Sequence, residues 1–281
     1  MELLFTVDSN YAIRIPVVLY SIRINDPGVK CKVNIIIDDI SQDIVDDLTL
    51  FCSSIGYSIE FFKVPGTLFE KAPINKHYSK AMYYRLLAGD ILPADIKRVL
   101  YLDPDILVIN SLLPLWEMDL EGCCFAAASH NEDAGLANNI NRVRLETSAA
   151  YYNTGILLID LEQSRKCVKN EDIFSYIKNN DYKLLLPDQD VFNALYSDKV
   201  RQIPDEIWNY DARKYTQYML KSGGVMDDRW VIRNTAILHF CGKGKPWNEH
   251  YRYRYGNLYR HYENLTDKLT ESIKLIRCKE D

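Results

Sequence analysis

The sequence predicts an α/β fold with a mostly parallel sheet flanked by helices. Short apolar runs of strand length alternate with segments whose apolar residues recur at helical spacing, beginning in the first few residues. This alternation is typical of successive βαβ units, which build parallel sheets. The 281 residues are 47% hydrophobic and 26% charged, the composition of an ordinary globular protein, which excludes a disordered or fibrous chain.

The elements follow one another in a regular order. Short apolar runs predict strands at residues 3–7, 33–37, 59–64, 99–102, 125–128 and 155–161. Helical periodicity or helix-start chemistry predicts helices at residues 15–22, 41–55 and 83–92, from Pro187, and along a stripe of Leu265, Leu269, Ile273 and Ile276. Residues 130–148 are expected to form a loop or small lid, and residues 205–235 an irregular excursion.

The overall charge and the cysteine pattern exclude several classes of protein. Lys and Arg number 34 against 39 acidic residues, so the net charge of -5 offers no basic field for nucleic acid. The seven cysteines include no C-x-x-C pair, which argues for reduced thiols and against a zinc site or disulfide framework. No apolar run approaches the ~18 residues of a membrane span, and the N-terminus lacks the basic start of a signal peptide. We therefore expect a cytoplasmic protein.

Two acidic residues follow the fourth predicted strand. Asp103 and Asp105 flank Pro104 directly after the apolar run at 99–102. In a parallel sheet, ligands bind at the carboxyl ends of the strands. Two carboxylates at this spacing can converge on one hard divalent cation, Mg²⁺ or Mn²⁺, which usually shares its ligands with substrate phosphates. The alternative is a solvated turn, for which Asp-Pro-Asp is equally suitable.

Weaker signals lie in other polar segments. His239 ends an apolar run and could supply nitrogen to the same cation, although a hydrogen-bonded core histidine is the ordinary alternative. Gly242 would let the backbone approach a ligand closely, and Lys245 could hold phosphate charge, although both also suit a surface turn. The remaining candidates, each with an ordinary structural explanation, are Arg85, Asn153 and the helix start Asp188-Gln189-Asp190.

Together these residues resemble glycosyltransferase family 8, the group that includes bacterial lipopolysaccharide α-galactosyltransferases and glycogenin. The resemblance extends from Leu3 to about Trp247. Its motifs, in chain order, are FTVDSNY, YYRL, VLYLDPDILV, LPLW, YYNTGILLIDL, DQDVFN and LHFCGKGKPW. One motif would mean little, but the ordered set is specific. It implies a Rossmann-like nucleotide-diphospho-sugar transferase fold of the GT-A type.

The resemblance also implies a set of ligand-binding residues. Mn²⁺, with Mg²⁺ as the other candidate, would be held by Asp103, Asp105 and His239 together with the diphosphate of a UDP-hexose. The catalytic residues would be Gln189, Asp188 and Lys245. The nucleotide and the sugar would be bound by Thr6, Asp8, Asn10, Tyr11, Arg85, Asp103, Pro104, Asp105, His130, Asn153, Gly242 and Lys245. Among these, Tyr11 would stack on the uridine.

At His130 the sequence departs from the family pattern. Family members often carry an acid in the pocket after the strand at 125–128, where it contacts a hydroxyl group of the sugar. If His130 takes that place, the donor sugar of this protein cannot be inferred from that of a relative.

The implied reaction is transfer of a hexose from a UDP-hexose to a glycan or lipid-linked acceptor. Family 8 enzymes retain the anomeric configuration, so the expected linkage is α.

A carboxylate nucleophile is the conventional route to retention. Because Gln189 matches the residue below the anomeric carbon, and an amide is a poor nucleophile, we favour same-face attack. The leaving phosphate oxygen would then be the base, and Gln189 would stabilise an oxocarbenium-like state. A covalent route through Asp188 or Asp190 stays open.

The chain is expected to consist of a nucleotide-sugar-binding domain, residues 1–247, and a basic, tyrosine-rich C-terminal segment with a short helix, residues 248–281. The stretch 243–262 carries five Lys and Arg residues against one Glu, and five tyrosines. Such a segment suits peripheral association with the inner face of the cell membrane. The alternative is a closing segment that packs on the domain.

Three other functions fit parts of the sequence. A haloacid-dehalogenase-type phosphatase also carries D-x-D after an apolar strand, but normally after the first strand, whereas here three strands precede the strand that leads into Asp103. A nucleotidyltransferase that makes UDP-sugars would need a Gly-rich phosphate loop after strand one, which Asp8-Ser9-Asn10 is not. A non-catalytic UDP-sugar sensor is the strongest non-enzyme alternative. Because all matched positions are present, Gln189 included, the sequence favours an enzyme.

Overall fold

The computed structural model describes residues 1–37, 39–64, 81–130, 143–145, 147, 150–180, 182 and 184–280. Its strands are β1 Glu2–Thr6, β2 Lys32–Ile37, β3 Ser58–Lys63, β4 Arg98–Leu102, β5 Ile106–Val108, β6 Phe125–Ala128, β7 Ile156–Asp160, β8 Val200–Ile203, β9 Tyr210–Asp211 and β10 Ile237–His239. In the described ranges, seven of these strands form one sheet in the order β3-β2-β1-β4-β7-β6-β8. The three others form a small sheet in the order β5-β10-β9.

Most neighbouring strands of the larger sheet are parallel. β1 is parallel to β2 and β4, β2 is parallel to β3, and β6 is parallel to β8. Among the described strands of this larger sheet, only β7 is antiparallel to its neighbours, β4 and β6. The predicted α/β fold with a mostly parallel sheet is therefore confirmed.

Helices cover both faces of this sheet. They are α1 Ser9–Ala12, α2 Ile15–Asn25, α3 Gln42–Ser54, α4 Ala81–Tyr84, α5 Ala88–Ile91, α6 Leu113–Trp116, α7 Leu161–Cys167, α8 Asn170–Asn180, α9 Pro187–Tyr196, α10 Asp205–Trp208, α11 Tyr215–Lys221, α12 Asp228–Asn234 and α13 Gly256–Glu280. Leu3 and Phe5 pack in one apolar core with α2 and α3, whereas Leu4 packs in a second core with α7, α8 and α9. Successive strand residues point to opposite faces, so a strand buried on both faces is apolar throughout.

Among the differences from the sequence prediction are those in residues 83–92 and 205–235. Residues 83–92 contain two short helical pieces, α4 and α5, in place of one helix. The stretch 205–235 is not irregular, because α10, β9, α11 and α12 lie in it. Elements of two to seven residues are too short for an apolar period to be visible in the sequence. The predicted loop or lid at 130–148 lies mostly outside the described residues.

The last helix is longer than the sequence predicted, and it packs on the rest of the chain. α13 has 25 residues, whereas the apolar stripe that predicted it begins only at Leu265. Its first turns bury Tyr259, whose ring lies 5.3 Å from that of Phe240. Glu263 forms an ion pair at 2.8 Å with Arg14, the residue before α2. Tyrosines therefore supply part of the buried face, which a pattern of purely apolar residues does not reveal.

Two of the exclusions made from the sequence can be compared with the structure. The six cysteines whose side chains are described are all free, as predicted. Among the described helices, none combines the length and the apolar character that crossing a bilayer requires.

Candidate active site

A cavity of about 1020 Å³ opens at the carboxyl end of β4. Asp103 and Asp105 follow this strand directly, His239 ends β10, and Asp188 lies in the first turn of α9. The residues predicted from the sequence that line the cavity are Tyr11, Arg85, Asp103, Asp105, His130, Asn153, Asp188, Gln189, His239, Gly242 and Lys245. The fold thus brings distant parts of the sequence together at the strand ends, where ligands of α/β proteins bind.

Four other predicted residues do not line the cavity, as far as the described residues define it: Thr6, Asp8, Asn10 and Pro104. Thr6 is buried, and its hydroxyl group lies 3.3 Å from Tyr101 Oη. Asp8 is exposed and caps α1, because its Oδ1 accepts the backbone N–H groups of Asn10 and Tyr11 at 2.9 and 3.1 Å. Pro104 is buried between the two carboxylates. These four residues support or flank the cavity wall.

Strand pairing brings His239 beside the two carboxylates. β10 is antiparallel to β5, with His239 opposite Ile106, the residue after Asp105. His239 Nε2 is 3.4 Å from Asp105 Oδ1 and 3.9 Å from Asp103 Oδ2. One atom from each of the three side chains lies within 4.8 Å of the others. Two carboxylate oxygens and an imidazole nitrogen are a suitable donor set for Mn²⁺, and the oxygens also suit Mg²⁺.

The surroundings of this cluster leave room for a cation. Gly155 faces the cluster, and a Cβ at this position would lie 2.7 Å from Asp103 Oδ2 and closer still to His239 Cε1. Asp103 Oδ1 is held by the Tyr101 hydroxyl at 2.5 Å and by Arg85 Nη1 at 3.1 Å. The second oxygen, Oδ2, is therefore the one that faces His239. The residues present fit a divalent cation.

Buried charges of both signs set the pKa values around the cluster. Burial alone would raise the pKa of Asp105, but His239 and Lys245 outweigh burial and hold this pKa well below its ordinary value. Burial alone would lower the pKa of His239, but Cys241 and Asp105 raise it well above its ordinary value. Lys245 Nζ donates a hydrogen bond to Asp105 Oδ2. The ionised carboxylate thus attracts positive charge to this end of the cavity.

A second group of predicted residues lies next to the cluster. Arg85 Nη1 donates to Thr154 O at 3.0 Å, and Arg85 Nη2 is 3.6 Å from Asp188 Oδ2. Asn153 Nδ2 donates to Gln189 Oε1 at 3.1 Å. Burial raises the pKa of Asp188, and Arg85 partly counters this rise. The polar groups on this wall hold one another in place in the absence of a ligand.

Asp190, one candidate for a covalent route, is a structural carboxylate. It is fully buried, and it does not line the cavity as described. Arg144 donates to both of its oxygens at 2.7 Å, and the Tyr151 hydroxyl donates to Oδ1 at 2.7 Å. The backbone N–H groups of Leu185 and Leu186 donate to Oδ2. Because these five donors use the lone pairs of the carboxylate, Asp190 is unsuited to attack a sugar.

His130 lines the cavity as a neutral imidazole. Its Nε2 lies 2.6 Å from Asn209 O, and because a carbonyl oxygen only accepts, Nε2 carries the hydrogen. Burial lowers the pKa of His130 to about 4. A neutral ring that donates at Nε2 leaves Nδ1 as an acceptor. A neutral group therefore lies at this point of the cavity wall.

Among the residues that sequence reasoning missed, Tyr101, Gly155 and Asn209 hold or make room for the cluster. Tyr101 lies within a buried strand, and its hydroxyl group needs a buried partner, which was an available signal. Gly155 opens an apolar strand, where a glycine often marks a close approach of another group. Asn209 lies in the segment predicted to be irregular, and nothing in the sequence around it indicates a role. Its side chain accepts from His239 Nδ1 at 2.8 Å and donates to Asn153 Oδ1 at 2.9 Å.

Known proteins resemble the chain over most of its length. The profile of the family described as "Glycosyl transferase family 8" matches residues 2–250. General stress protein A of Bacillus subtilis (strain 168) is 31% identical over 274 residues, which cover 95% of this chain and 94% of that protein. A lipopolysaccharide 1,2-glucosyltransferase of Escherichia coli is 24% identical over 269 residues, which cover 92% of this chain and 77% of that protein.

A solved structure shares the fold. It is that of the galactosyltransferase LgtC in complex with donor and acceptor sugar analogs, which matches with a TM-score of 0.76 at 24% identity. The match covers 93% of this chain and 95% of that one, and it confirms the GT-A type of architecture. Because the family profile spans both sheets and the cavity between their strand ends, the chain belongs to glycosyltransferase family 8 and is a glycosyltransferase.

Proposed function

We propose that this glycosyltransferase moves a hexose from a UDP-hexose to a hydroxyl group of a glycan or lipid-linked acceptor, with retention and hence an α-linkage. The family supports a nucleotide-sugar donor and a glycan acceptor in general terms. The observation that carries the finer proposal is the Asp103–Asp105–His239 cluster in one cavity with Lys245 and Arg85. Donors for a divalent cation beside two positive side chains are the combination that a diphosphate requires.

The proposed cofactor is Mn²⁺, with Mg²⁺ as the other candidate, and Asp103, Asp105 and His239 would hold it. When bound, the cation would supply positive charge that stabilises the departing diphosphate. Lys245 supplies such charge from the chain itself. Burial alone would lower the pKa of Lys245, but Asp105 raises it above its ordinary value, so the side chain is protonated at neutral pH. By analogy with oxyanion donors, we expect Lys245→Ala to lower turnover about 100-fold.

The nucleotide is proposed to lie on the Tyr11 side of the cavity. The Tyr11 side chain is 36% exposed, and its ring is nearly perpendicular to that of Trp247 with ring centroids 6.1 Å apart. A T-shaped contact covers at most one face of the Tyr11 ring, so a face can stack on uracil. Asp8 and Asn10 are exposed beside it, where their side chains can bind the base or the ribose. Thr6 is proposed to act indirectly, through its contact with Tyr101.

Retention is proposed to occur by same-face attack, with Gln189 below the anomeric carbon. The Asn153–Gln189 hydrogen bond supports this role, because it orients the amide beside Asp188 and Arg85. With Asp190 fully bonded, Asp188 is the carboxylate that a covalent route would use. Turnover of Gln189→Ala and Asp188→Asn distinguishes the two routes. Full turnover by Gln189→Ala would remove the stabilising role of the amide.

His130 is proposed to contact the donor sugar in place of the usual acid. Its neutral ring offers an acceptor at Nδ1 and no charge at neutral pH, whereas a carboxylate accepts two hydrogen bonds. We therefore expect the preferred sugar to differ from that of relatives with an acid there. The donor preference of His130→Asp, measured against that of the unaltered protein, tests this assignment.

Residues 248–281 are proposed to close the fold, and membrane association is the alternative role. Arg254 pairs with Asp228 and lies over the ring of Tyr215 at 3.8 Å, and Tyr251 and Tyr259 are buried against Phe240. These contacts use much of the basic, aromatic surface that a lipid headgroup would need. Flotation with anionic liposomes decides between the roles, since binding of the intact protein would favour a place at the inner face of the membrane.

UDP release from UDP-glucose, UDP-galactose and UDP-N-acetylglucosamine, with Mn²⁺ and with EDTA, tests the proposed function. We expect slow cation-dependent hydrolysis of one donor, because water can replace the acceptor. Asp105→Asn is the matched control, since it removes one proposed ligand and keeps the shape of the side chain. Binding of UDP in Mn²⁺ without turnover of any donor, with or without an added acceptor, would favour the non-catalytic sensor. Absence of UDP binding would contradict both.

A further inference from the structure

We propose that Asn209 is a positioning residue that orients His239 and, through Asn153, Gln189, and so joins the proposed cation ligand to the proposed catalytic amide. The proposal rests on the proposed function for the roles of His239 and Gln189. It adds a residue that contacts neither the cation nor the substrate and acts through others.

Asn209 is fully buried between α10 and β9, and its polar groups are all partnered. Its side-chain oxygen faces His239 Nδ1 at 2.8 Å, and its Nδ2 donates to Asn153 Oδ1 at 2.9 Å. Its backbone oxygen accepts from His130 Nε2 at 2.6 Å, and its backbone N–H donates to Asp205 O at 2.9 Å. The Asn209 side chain therefore contacts both His239, a proposed ligand of the cation, and Asn153, a proposed ligand of the sugar.

A backbone N–H group fixes the direction of these hydrogen bonds. Gly155 N donates to Asn153 Oδ1 at 3.0 Å, so the oxygen of the Asn153 amide must point toward Gly155. The group of Asn209 that meets the same oxygen must then be the donor, Nδ2. Consequently Asn209 Oδ1 faces His239, and an amide oxygen only accepts, so Nδ1 of His239 carries a hydrogen. In the neutral ring, Nε2 is the nitrogen left to face Asp103 and Asp105, as a cation requires.

The same chain of hydrogen bonds reaches Gln189. With Asn153 Oδ1 directed at Gly155, Asn153 Nδ2 is directed at Gln189 and donates to Oε1 at 3.1 Å. Asp190, the residue after Gln189 in α9, accepts a hydrogen bond from the Tyr151 hydroxyl group at 2.7 Å. Asp190 is in turn fixed by Arg144. The orientation of the Gln189 amide therefore follows from that of Asn209 through a single intermediate, Asn153.

The proposal has two parts: orientation of His239 by Asn209 (the His239 arm) and orientation of Gln189 through Asn153 (the Gln189 arm). Two substitutions separate them. Asn209→Ala removes both the contact to His239 and the contact to Asn153. Asn209→Asp keeps an acceptor for His239 Nδ1 but turns an oxygen toward Asn153 Oδ1, where two acceptors repel each other. Asn34→Ala is the matched control, because Asn34 is also a fully buried asparagine bonded through Nδ2, to Glu2 and Leu3, and lies in β2 away from the cavity.

The test measures Mn²⁺ affinity, from the paramagnetic resonance signal of free Mn²⁺, and UDP release at saturating Mn²⁺ and donor. We expect Asn209→Ala to weaken Mn²⁺ binding about 10- to 100-fold, the usual effect of losing the partner of a ligating histidine, and to lower UDP release as well. We expect Asn209→Asp to bind Mn²⁺ within about threefold of the unaltered protein and still to release UDP more slowly. Circular dichroism confirms that each variant is folded, and Asn209→Asp remains informative if Asn209→Ala does not fold.

Two results would overturn the proposal. Mn²⁺ affinity of Asn209→Ala equal to that of Asn34→Ala would remove the His239 arm, and normal UDP release by Asn209→Asp would remove the Gln189 arm. Failure of the proposed function has a different signature, which is an unaltered protein that binds Mn²⁺ but neither binds nor cleaves a UDP-hexose. In that case the Mn²⁺ affinities still decide the His239 arm, and the Gln189 arm falls with the function on which it rests.

Discussion

The absence of a side chain at Gly155 lets Asp103 Oδ2 and His239 approach each other. A methyl group there would lie 2.7 Å from that oxygen and closer to the imidazole, so one of these groups would have to move. We expect Gly155→Ala to weaken Mn²⁺ binding at least ~10-fold, as measured by titration of free Mn²⁺. Gly28→Ala is the control, because a Cβ at Gly28 meets nothing within 4 Å. Equal Mn²⁺ affinity in both variants would contradict this role of Gly155.

The partly buried ring of His130 links folding stability to pH. Its pKa is about 4 in the folded protein and 6.5 in the unfolded chain, so below pH 6.5 the unfolded chain binds more protons. The contribution of His130 to stability is present above pH 6.5 and is lost as the pH falls toward 4, by up to ~1.4 kcal/mol per pH unit. We expect His130→Gln to lose roughly 1–2 kcal/mol less free energy of unfolding than the unaltered protein between pH 7 and pH 5, in urea titrations. Identical losses in both proteins would show that the ring is not buried in its neutral form.

Two neighbouring carboxylates of α9 should respond differently to the same substitution. Asp190→Asn removes a fully buried charge that pairs with the partly buried Arg144, so we expect the free energy of unfolding to fall by about 3 kcal/mol. Asp188 faces the cavity, 3.6 Å from Arg85 Nη2 and 3.5 Å from the Thr154 hydroxyl group, and an amide oxygen can accept from the same donors. We therefore expect Asp188→Asn to lower turnover with little loss of stability. Urea unfolding and UDP release of the two variants are the measurements. A stable, inactive Asp190→Asn enzyme would restore the covalent route through Asp190.

Sequence reasoning identifies residues of this site only where a local pattern exists. Asp103 and Asp105 stand out because two acids end a buried strand, a placement that costs free energy unless something compensates for it. Asn209 has no such local pattern, since its partners His239 and Asn153 are 30 and 56 residues away. Its position depends on how β9 and β10 pair, which is a property of the folded chain.

At the scale of elements, pairing of β10 with β5 completes the site. The register that sets His239 opposite Ile106 also lets Phe240 N donate to Asp105 O at 2.9 Å, which fixes the backbone next to the cluster. Six of the seven strands described in the large sheet were predicted from apolar runs, whereas β8, with the sequence VRQI, has no such run and was missed. The small sheet was not predicted, because strands of two or three residues give no periodic signal.

The C-terminal helix α13 is linked to the proposed uridine site by an ion pair, a cation–π contact and a contact between two rings. Glu263 holds Arg14 at 2.8 Å, Arg14 lies 4.7 Å from the ring centre of Trp247, and Trp247 contacts Tyr11. Glu263→Gln should loosen Arg14 and through it Trp247. We expect a two- to fivefold rise in the KM for the UDP-sugar at unchanged kcat, since a partly exposed cation–π contact is worth about 1 kcal/mol.

A second ion pair of the same helix provides the control for this prediction. Lys274 pairs with Asp47 at 2.9 Å, and both side chains are more than half exposed. This pair lies three turns further along α13, so Lys274→Gln should leave both kinetic constants unchanged. A similar change of KM in both variants would show that Glu263 acts through the stability of the helix and not through Tyr11.

At the scale of the whole molecule, the fold gathers positive side chains in the cavity, although the net charge of the protein is negative and would repel an anion. The chain carries a net charge of -5, which opposes an anionic nucleotide. Within the cavity, Lys245 and Arg85 balance the carboxylates of Asp105 and Asp103, and a bound divalent cation would make the sum of these charges positive. Affinity for the nucleotide should therefore depend on the cation far more than on the overall charge of the protein.

Calorimetric titration with UDP, in Mn²⁺ and in EDTA, tests this central claim most directly. The account predicts that UDP binds at least ~10-fold more tightly in Mn²⁺ and that Asp105→Asn loses this difference, because the cation and the nucleotide share one site. Equal UDP affinity in Mn²⁺ and EDTA, or a cation effect that persists in Asp105→Asn, would contradict it.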